Sequence, residues 1–118
     1  MFTKFLYLNN CKKRNKTLMD ITVQELKKKL EGPKDFVFID VREAYENQEF
    51  NIGGDLIPLG QLMDSISGLE EHQNDEIIVY CRSGARSAMA QNLLEAAGFS
   101  NVRNLTGGIL AWQEAFGS

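Results

Sequence analysis

The feature that most constrains this chain is a pair of short apolar runs, each ending at a residue suited to chemistry. Residues 36–41 read FVFIDV and residues 76–80 read EIIVY. Runs of β-branched and aromatic side chains without polar alternation are typical of strands covered on both faces, as in parallel sheets. Asp40 lies near the end of the first run, and Cys81 directly follows the second.

Helical patterns alternate with these strands. In the segment 21–30, Thr22 and Glu25 form a capping box and apolar residues recur at helical spacing. Further helices are predicted over 43–50, 60–69, 87–97 and 109–116, and short strands over 56–57 and 101–105. The helix over 60–69 is expected to bury one side, formed by Leu59, Leu62, Met63 and Ile66.

This alternation predicts an α/β domain with a mostly parallel central sheet of about five strands and helices on both faces. Ligands of such sheets bind outside the carboxyl ends of the strands. Asp40, Cys81 and the turn after Val102 all fall at such ends, so the site is expected there.

The net charge of −3 conceals an asymmetry. Residues 1–18 carry five basic side chains and no acid, and the remainder carries a net charge of −8. Phosphate contacts need clustered positive charge, so the main body is not a general nucleic-acid binder and any affinity for anions must be local.

We expect residues 1–18 to be a flexible basic extension and residues 19–118 to form the domain, with Met19 a candidate for the natural start. The FLYL segment at 5–8 is too short for a signal-peptide core and precedes the basic cluster. Two cysteines, Cys11 and Cys81, do not suggest a disulfide framework, which favours a reducing compartment, the cytoplasm. No apolar run approaches the roughly 20 residues of a membrane span, and a monomer is the default expectation.

The segment VYCRSGARS, residues 79–87, places a cysteine between a buried strand and a helix. Free cysteine often serves only as core packing. A chain that reverses so tightly turns successive N–H groups inward, however, and the helix N-terminus adds unpaired N–H groups and partial positive charge. Together with Arg82 and Arg86, these groups should lower the pKa of Cys81 below its ordinary value of about 8.5 and favour a thiolate.

A neighbouring base is a poor alternative for activating Cys81. The single histidine, His72, precedes the strand at whose far end Cys81 lies, and a five-residue strand spans roughly 16 Å. A Cys–His dyad is therefore not expected. No cluster of His, Cys and carboxylates has metal-ligand spacing, so neither a metal nor an organic cofactor is implied.

Four residues separate Cys81 from Arg86, which makes a small ring for an anion. A thiolate in such a ring can attack phosphorus and give a phosphocysteine, or attack sulfur and give a persulfide. The anionic persulfide would stay in the nest, stabilised by the same N–H groups.

Four segments together resemble the single-domain rhodaneses, a family of sulfurtransferases. They read FIDVREAYE (38–46), NIGGDLIPL (51–59), IIVYCRSGARS (77–87) and LTGGILAW (105–112), occur in the family's order and cover most of residues 21–116. The cysteine phosphatases related to this fold are expected to carry five residues between cysteine and arginine. The shorter loop therefore implies sulfur transfer.

The resemblance also implies roles for single residues. Cys81 would be the nucleophile that carries the persulfide, with Arg82 and Arg86 attracting an anionic donor. Asp40 and Arg42 match the family's D-x-R pair, for which a structural ion pair is at least as good a reading as a catalytic role. The backbone N–H groups expected to cradle the sulfur belong to Arg82, Ser83, Gly84, Ala85, Arg86 and Ser87.

The closing motif and two departures complete the comparison with the family. Gly107, Gly108 and Trp112 match the motif and are expected to pack near the rim of the site. Asn51 stands where family members often have histidine, which should alter local hydrogen bonding rather than catalysis. The basic segment 1–18 matches nothing in the family pattern.

The resulting prediction is a thiosulfate sulfurtransferase that moves a sulfane sulfur from thiosulfate or a related persulfide donor to a thiol or cyanide. A sulfur carrier or partner-binding module with little turnover is the alternative, and a cysteine-dependent phosphatase or arsenate reductase is a more distant one. The expected partners are a small anionic donor and a thiol acceptor, with a sulfur-relay protein as a further candidate.

Overall fold

The protein's structure, a computed structural model, describes residues 20–118. The basic extension predicted over 1–18, the candidate start at Met19 and the second cysteine, Cys11, lie outside the described residues.

The centre of the fold is a parallel sheet with the spatial order β2–β1–β3–β4. Its strands are β1 (Val37–Asp40), β2 (Asp55–Leu56), β3 (Ile77–Tyr80) and β4 (Val102–Asn104). The register sets Asp40 beside Tyr80 in β3. The residues that follow β1 and β3 therefore emerge side by side at the carboxyl edge.

Helices cover both faces of this sheet, as predicted. They are α1 (Val23–Glu31), α2 (Ala44–Glu49), α3 (Leu59–Ser65), a 3₁₀-helix (Ile66–His72), α4 (Ala85–Ala96) and α5 (Gly108–Phe116). Successive strand residues point to opposite faces, so Ile78 packs beneath α1 and α5, whereas Val79 packs beneath α3 and α4. The α/β fold with a parallel sheet between two helical layers is confirmed.

The sheet has four strands in the described part of the chain, rather than the expected five or so. The nearest approach to a fifth strand is a single parallel bridge between Ile21 and Leu105. Thr22 already caps α1 through its hydroxyl, which accepts from the N–H of Glu25 at 3.1 Å. The chain turns into a helix after this bridging residue, so the pairing cannot continue beyond Ile21 towards α1.

Two local expectations also differ from the structure. Helix α4 begins at Ala85 rather than Ser87, because Gly84 adopts a left-handed conformation with φ of 105° and reverses the chain at once. Met63 is 61% exposed, whereas Leu62 is fully buried. Leu62 packs into the core with the half-buried Leu59 and Ile66 beside it, and Met63 lies about 100° further around the helix than Leu62.

Candidate active site

Cys81 follows β3 directly and is almost fully buried, with 1% of its surface exposed. The backbone around it is held by the start of α5. The N–H of Ile109 donates to the Cys81 carbonyl at 2.9 Å, and the N–H of Leu110 donates to the Arg82 carbonyl at 3.0 Å. Gly108 permits this approach, because a Cβ there would lie 2.5 Å from the Cys81 oxygen.

Three donors surround the Cys81 sulfur. The Gly84 N–H lies 3.1 Å from Sγ, and the N–H and hydroxyl of Ser87 each lie 3.3 Å away. Burial opposes ionisation of the thiol, but hydrogen bonds from the Ser87 hydroxyl and from the N–H groups of Ser87, Gly84 and Ser83 outweigh it and lower the pKa of Cys81. The loop can therefore favour a thiolate without a neighbouring base.

The first turn of α4 offers further donors beside the sulfur. Ala85 and Arg86 open the helix, and N–H groups in a first helical turn have no intrahelical acceptor. Both residues were predicted to contribute to the cradle. Their role there stays a prediction, as does that of the Arg82 and Ser83 N–H groups.

Arg86 is paired with a carboxylate that the sequence did not single out. Its Nη1 and Nη2 donate to the two carboxylate oxygens of Glu46 at 2.7 and 2.9 Å. The Arg86 hydrogen bonds lower the pKa of Glu46 to about 2. Much of the Arg86 charge is thus balanced locally, and its attraction for an anionic donor stays a prediction.

Arg82 is the more available cation of the loop. Its side chain is exposed and has no ion-pair partner within residues 20–118. It borders a cavity of about 190 Å³ between α2 and α5, lined also by Arg42, Glu46, Glu49, Phe50, Ile109, Leu110 and Gln113. A larger cavity of about 400 Å³ lies against the start of α1 and does not include the cysteine loop.

Asp40 and Arg42 form a buried ion pair at the neighbouring strand end, with side chains 0% and 4% exposed. Arg42 donates through Nε and Nη2 to the two oxygens of Asp40, both at 2.9 Å. The Arg42 backbone N–H and the Asn47 amide complete the shell around the carboxylate. Arg42 also donates to the Phe50 carbonyl at 2.7 Å, so the pair joins β1 to the middle of α2 and to its C-terminal end.

Asn51, which departs from the family pattern, closes a local turn. Its Oδ1 accepts from the Gly53 N–H at 2.9 Å, and its Nδ2 donates to the Asn47 carbonyl, also at 2.9 Å. These bonds tie the end of α2 to the turn before β2.

His72 lies at the end of the 3₁₀-helix, before β3 begins. Its Nδ1 is 2.9 Å from Asp75 and its Nε2 is 3.4 Å from Glu71.

No three His, Cys, Asp or Glu side chains within residues 20–118 come together as a metal ion would require. None of the helices in that range is long and apolar enough to cross a bilayer.

Two residues at the site were missed by sequence reasoning. The Glu46 carboxylate accepts from the Glu43 N–H as in a capping box, but Glu43 stands where the sequence pattern requires Ser or Thr. Its contact with Arg86 spans 40 positions and is set only by the fold. Asn104, at the end of β4, contacts both Gly84 and Ser87, again without a local signal.

Fold and loop together define a class of protein: a parallel α/β domain that holds one buried cysteine in a nest of N–H groups at the carboxyl edge of its sheet. The family model for the rhodanese-like domain matches residues 22–115. The chain belongs to the rhodanese-like family, whose members include sulfurtransferases and sulfur carriers.

Relatives and solved structures agree with this assignment. A Bacillus subtilis protein provisionally named a sulfur carrier, YrkF, is 34% identical over 81% of the chain, which spans 51% of that protein. A Schizosaccharomyces pombe protein provisionally named a mitochondrial thiosulfate sulfurtransferase is 32% identical over 86% of the chain and 80% of that protein. The crystal structure of a Staphylococcus aureus rhodanese-like domain protein is similar with a TM-score of 0.71 and 34% identity, covering 79% of this chain and 89% of that one.

Proposed function

We propose that the chain moves a sulfane sulfur from thiosulfate, or from a related persulfide donor, to a thiol by way of a persulfide on Cys81. The observation that carries this proposal is the position of Sγ, which lies within 3.3 Å of three hydrogen-bond donors at the carboxyl edge of the sheet. Those donors favour an anionic sulfur, and the buried site shields it from water.

In the first half-reaction, the Cys81 thiolate attacks the outer sulfur of thiosulfate. A sulfur–sulfur bond forms to Sγ, the sulfur–sulfur bond of thiosulfate breaks, and sulfite leaves with that electron pair. The negative charge moves to the outer persulfide sulfur, and we expect the unpaired N–H groups of Ala85 and Arg86, in the first turn of α4, to donate to it.

In the second half-reaction, an acceptor thiolate attacks the outer persulfide sulfur. The bond to Sγ breaks, and Cys81 leaves as the thiolate that began the cycle. Cyanide can take the same sulfur in an assay. A reducing compartment such as the cytoplasm suits this cycle, because the thiolate must stay reduced between turnovers.

The exposed cation at the loop supports an anionic donor. Arg82 borders the cavity between α2 and α5 without an ion-pair partner in the described part of the chain, whereas Arg86 is held by Glu46. Thiosulfate as donor takes further support from the Schizosaccharomyces relative, whose name includes it. We assign initial capture of the donor to Arg82.

A sulfur carrier with little turnover is the second candidate, favoured by the name of the Bacillus relative. A carrier would load Cys81 in the same way but deliver the sulfur to a sulfur-relay protein. The two candidates differ in the second half-reaction only.

Kinetics separate the candidates. Covalent two-step catalysis predicts parallel lines in double-reciprocal plots of initial rate against thiosulfate at several acceptor concentrations. Intersecting lines would contradict the persulfide cycle. Slow turnover with small acceptors, together with rapid transfer to a protein thiol, would favour the carrier.

The matched variants are Cys81→Ser and Cys11→Ser. The first should reduce turnover below about a hundredth of the parent rate, because a hydroxyl has no comparable anionic form near neutral pH. The Cys11→Ser variant should keep the turnover rate of the parent. Retained turnover in Cys81→Ser would refute the assignment, and hydrolysis of a phosphate ester without sulfur transfer would point to phosphatase chemistry.

A further inference from the structure

The Ser87 hydroxyl lies between two acceptors and has only one proton. Its oxygen is 3.3 Å from Cys81 Sγ and also within hydrogen-bond distance of Asn104 Oδ1. A serine hydroxyl donates a single hydrogen bond. It can therefore serve the sulfur or the amide oxygen, but not both at the same time.

The orientation of the Asn104 amide is fixed by its other contact. Its Nδ2 donates to the Gly84 carbonyl at 3.1 Å, and the reversed orientation would place two oxygens against each other there. Asp20 holds the same residue by its backbone, since the carboxylate accepts from the Asn104 N–H at 3.3 Å. Asn104 thus presents an acceptor, rather than a donor, to Ser87.

We propose that Asn104 is a positioning residue whose Oδ1 accepts the Ser87 hydroxyl hydrogen bond whenever Sγ carries no charge. The hydroxyl would turn towards the sulfur in the thiolate and towards Asn104 in the other states of the cycle. Asn104 would act on the cysteine through Ser87 alone.

Three states of Cys81 follow from this arrangement. In the neutral thiol, the hydroxyl donates to Asn104 and can accept from the thiol. In the thiolate, it donates to Sγ and leaves the amide oxygen of Asn104 without the Ser87 hydrogen bond. In the persulfide, which rests on the proposed function, the charge has moved to the outer sulfur and the hydroxyl returns to Asn104.

Asn104 therefore disfavours the thiolate relative to both the thiol and the persulfide. Its removal should lower the pKa of Cys81, since the hydroxyl would no longer have a second acceptor. The net value of one such hydrogen bond corresponds to a roughly twofold to tenfold change in an equilibrium, or about 0.3 to 1 pKa unit. Loading by thiosulfate should become less favourable by a similar factor.

Other charges also influence the sulfur. Arg82 and Arg86 come from the loop and the start of α4, Glu46 faces Arg86 from α2, and Asp20 holds Asn104 from the segment before α1. The buried Asp40–Arg42 pair lies at the neighbouring strand end. A cycle of Ser87 and Asn104 variants retains all of these groups.

The experiment measures the pKa of Cys81 in a double-mutant cycle on the Cys11→Ser background, so that a single thiol titrates. Thiolate ultraviolet absorbance and the pH dependence of alkylation give two independent readings. The variants are Asn104→Leu, Ser87→Ala and the double variant, with Asn104→Ala as a smaller replacement should the leucine disturb folding. Circular dichroism and thermal unfolding establish that each variant is folded.

We expect Asn104→Leu to lower the pKa of Cys81 by about 0.3 to 1 unit when Ser87 is present and to leave it unchanged on the Ser87→Ala background. A rise in the pKa, no change with Ser87 present, or the same shift on both backgrounds would overturn the inference.

A second reading uses the loading equilibrium between enzyme, thiosulfate, persulfide and sulfite. Asn104→Leu should shift it about twofold to tenfold towards the thiolate, again only with Ser87 present. A shift that persists without Ser87 would overturn the inference. Failure of every variant, and of the parent, to form persulfide would instead refute the proposed function, and the ionisation cycle would still decide the role of Asn104.

Discussion

Replacing Glu46 with glutamine tests whether the pair between α2 and α4 stabilises the fold. Glutamine keeps the side-chain oxygen that accepts from the Glu43 N–H, so the capping box survives. It removes the negative charge of the carboxylate, to whose two oxygens Arg86 Nη1 and Nη2 donate at 2.7 and 2.9 Å. The change therefore removes the charge and, at the position of Oε2, replaces the acceptor of Arg86 Nη2 with an amide nitrogen, while the capping contact through Oε1 stays.

The size of the effect follows from the ionisation of Glu46. The Arg86 hydrogen bonds lower the pKa of this carboxyl from 4.5 to about 2, and that difference corresponds to at most roughly 3.4 kcal/mol. The Arg86 side chain is 36% exposed, so solvent screens the pair. We therefore expect a loss of about 1–2 kcal/mol in the free energy of unfolding at neutral pH.

The pH dependence has a definite sign. A carboxyl whose pKa is lowered by folding contributes stability above its unfolded pKa of 4.5, and that contribution disappears as the pH falls towards about 2. The difference between the parent and Glu46→Gln should therefore be full at neutral pH and shrink steadily below about pH 4.5. The parent should lose more stability on acidification than the variant.

Urea unfolding at several pH values provides the assay, with Glu49→Gln as the matched control. Glu49 lies on the same helix, is exposed and forms no ion pair with residues 20–118. A Glu46→Gln variant within about 0.5 kcal/mol of the parent at neutral pH would refute the reasoning. A difference of the same size at neutral and acid pH would refute it equally.

Two further predictions concern the remaining charges at the carboxyl edge. Asp40→Asn should lower the free energy of unfolding by about 3 kcal/mol or more, because it leaves the Arg42 guanidinium buried without its counter-charge. Denaturant unfolding measures this loss, and a loss below about 1 kcal/mol would contradict the prediction. Arg82→Gln should raise the KM for thiosulfate more than Arg86→Gln does, because the Arg86 charge is balanced by Glu46. Steady-state kinetics at constant ionic strength compare the two variants. A larger rise in KM for Arg86→Gln would contradict the assignment of donor capture to Arg82.

The sequence predicted where Asp40 and Cys81 lie in the fold, because their places depend on local patterns. Two apolar runs marked β1 and β3, and both ended where Asp40 and Cys81 were expected to emerge. Parallel pairing then required the two ends to lie side by side. The sequence also predicted the tight loop after Cys81, because few residues separate β3 from the next helix.

Other features depend on contacts that no local pattern contains. At Ile21, strand pairing with Leu105 competes with the start of α1, which Thr22 caps one residue later. Only a single bridge forms there, and the described sheet keeps four strands. Residues distant in sequence form the pairs of Arg86 with Glu46 and of Ser87 with Asn104. The sequence predicted that Arg86 attracts an anionic donor, but it gave no sign that Glu46 balances much of the Arg86 charge.

The central claim is that Cys81 carries a persulfide, and intact mass after incubation with thiosulfate tests it most directly. The reduced, folded protein should become one sulfur atom heavier, with the addition mapped to the peptide that contains Cys81 and reversed by cyanide. The Cys11→Ser variant should gain the same mass, and Cys81→Ser should gain none. An unchanged mass with both thiosulfate and a persulfide donor, or an addition confined to Cys11, would contradict the account.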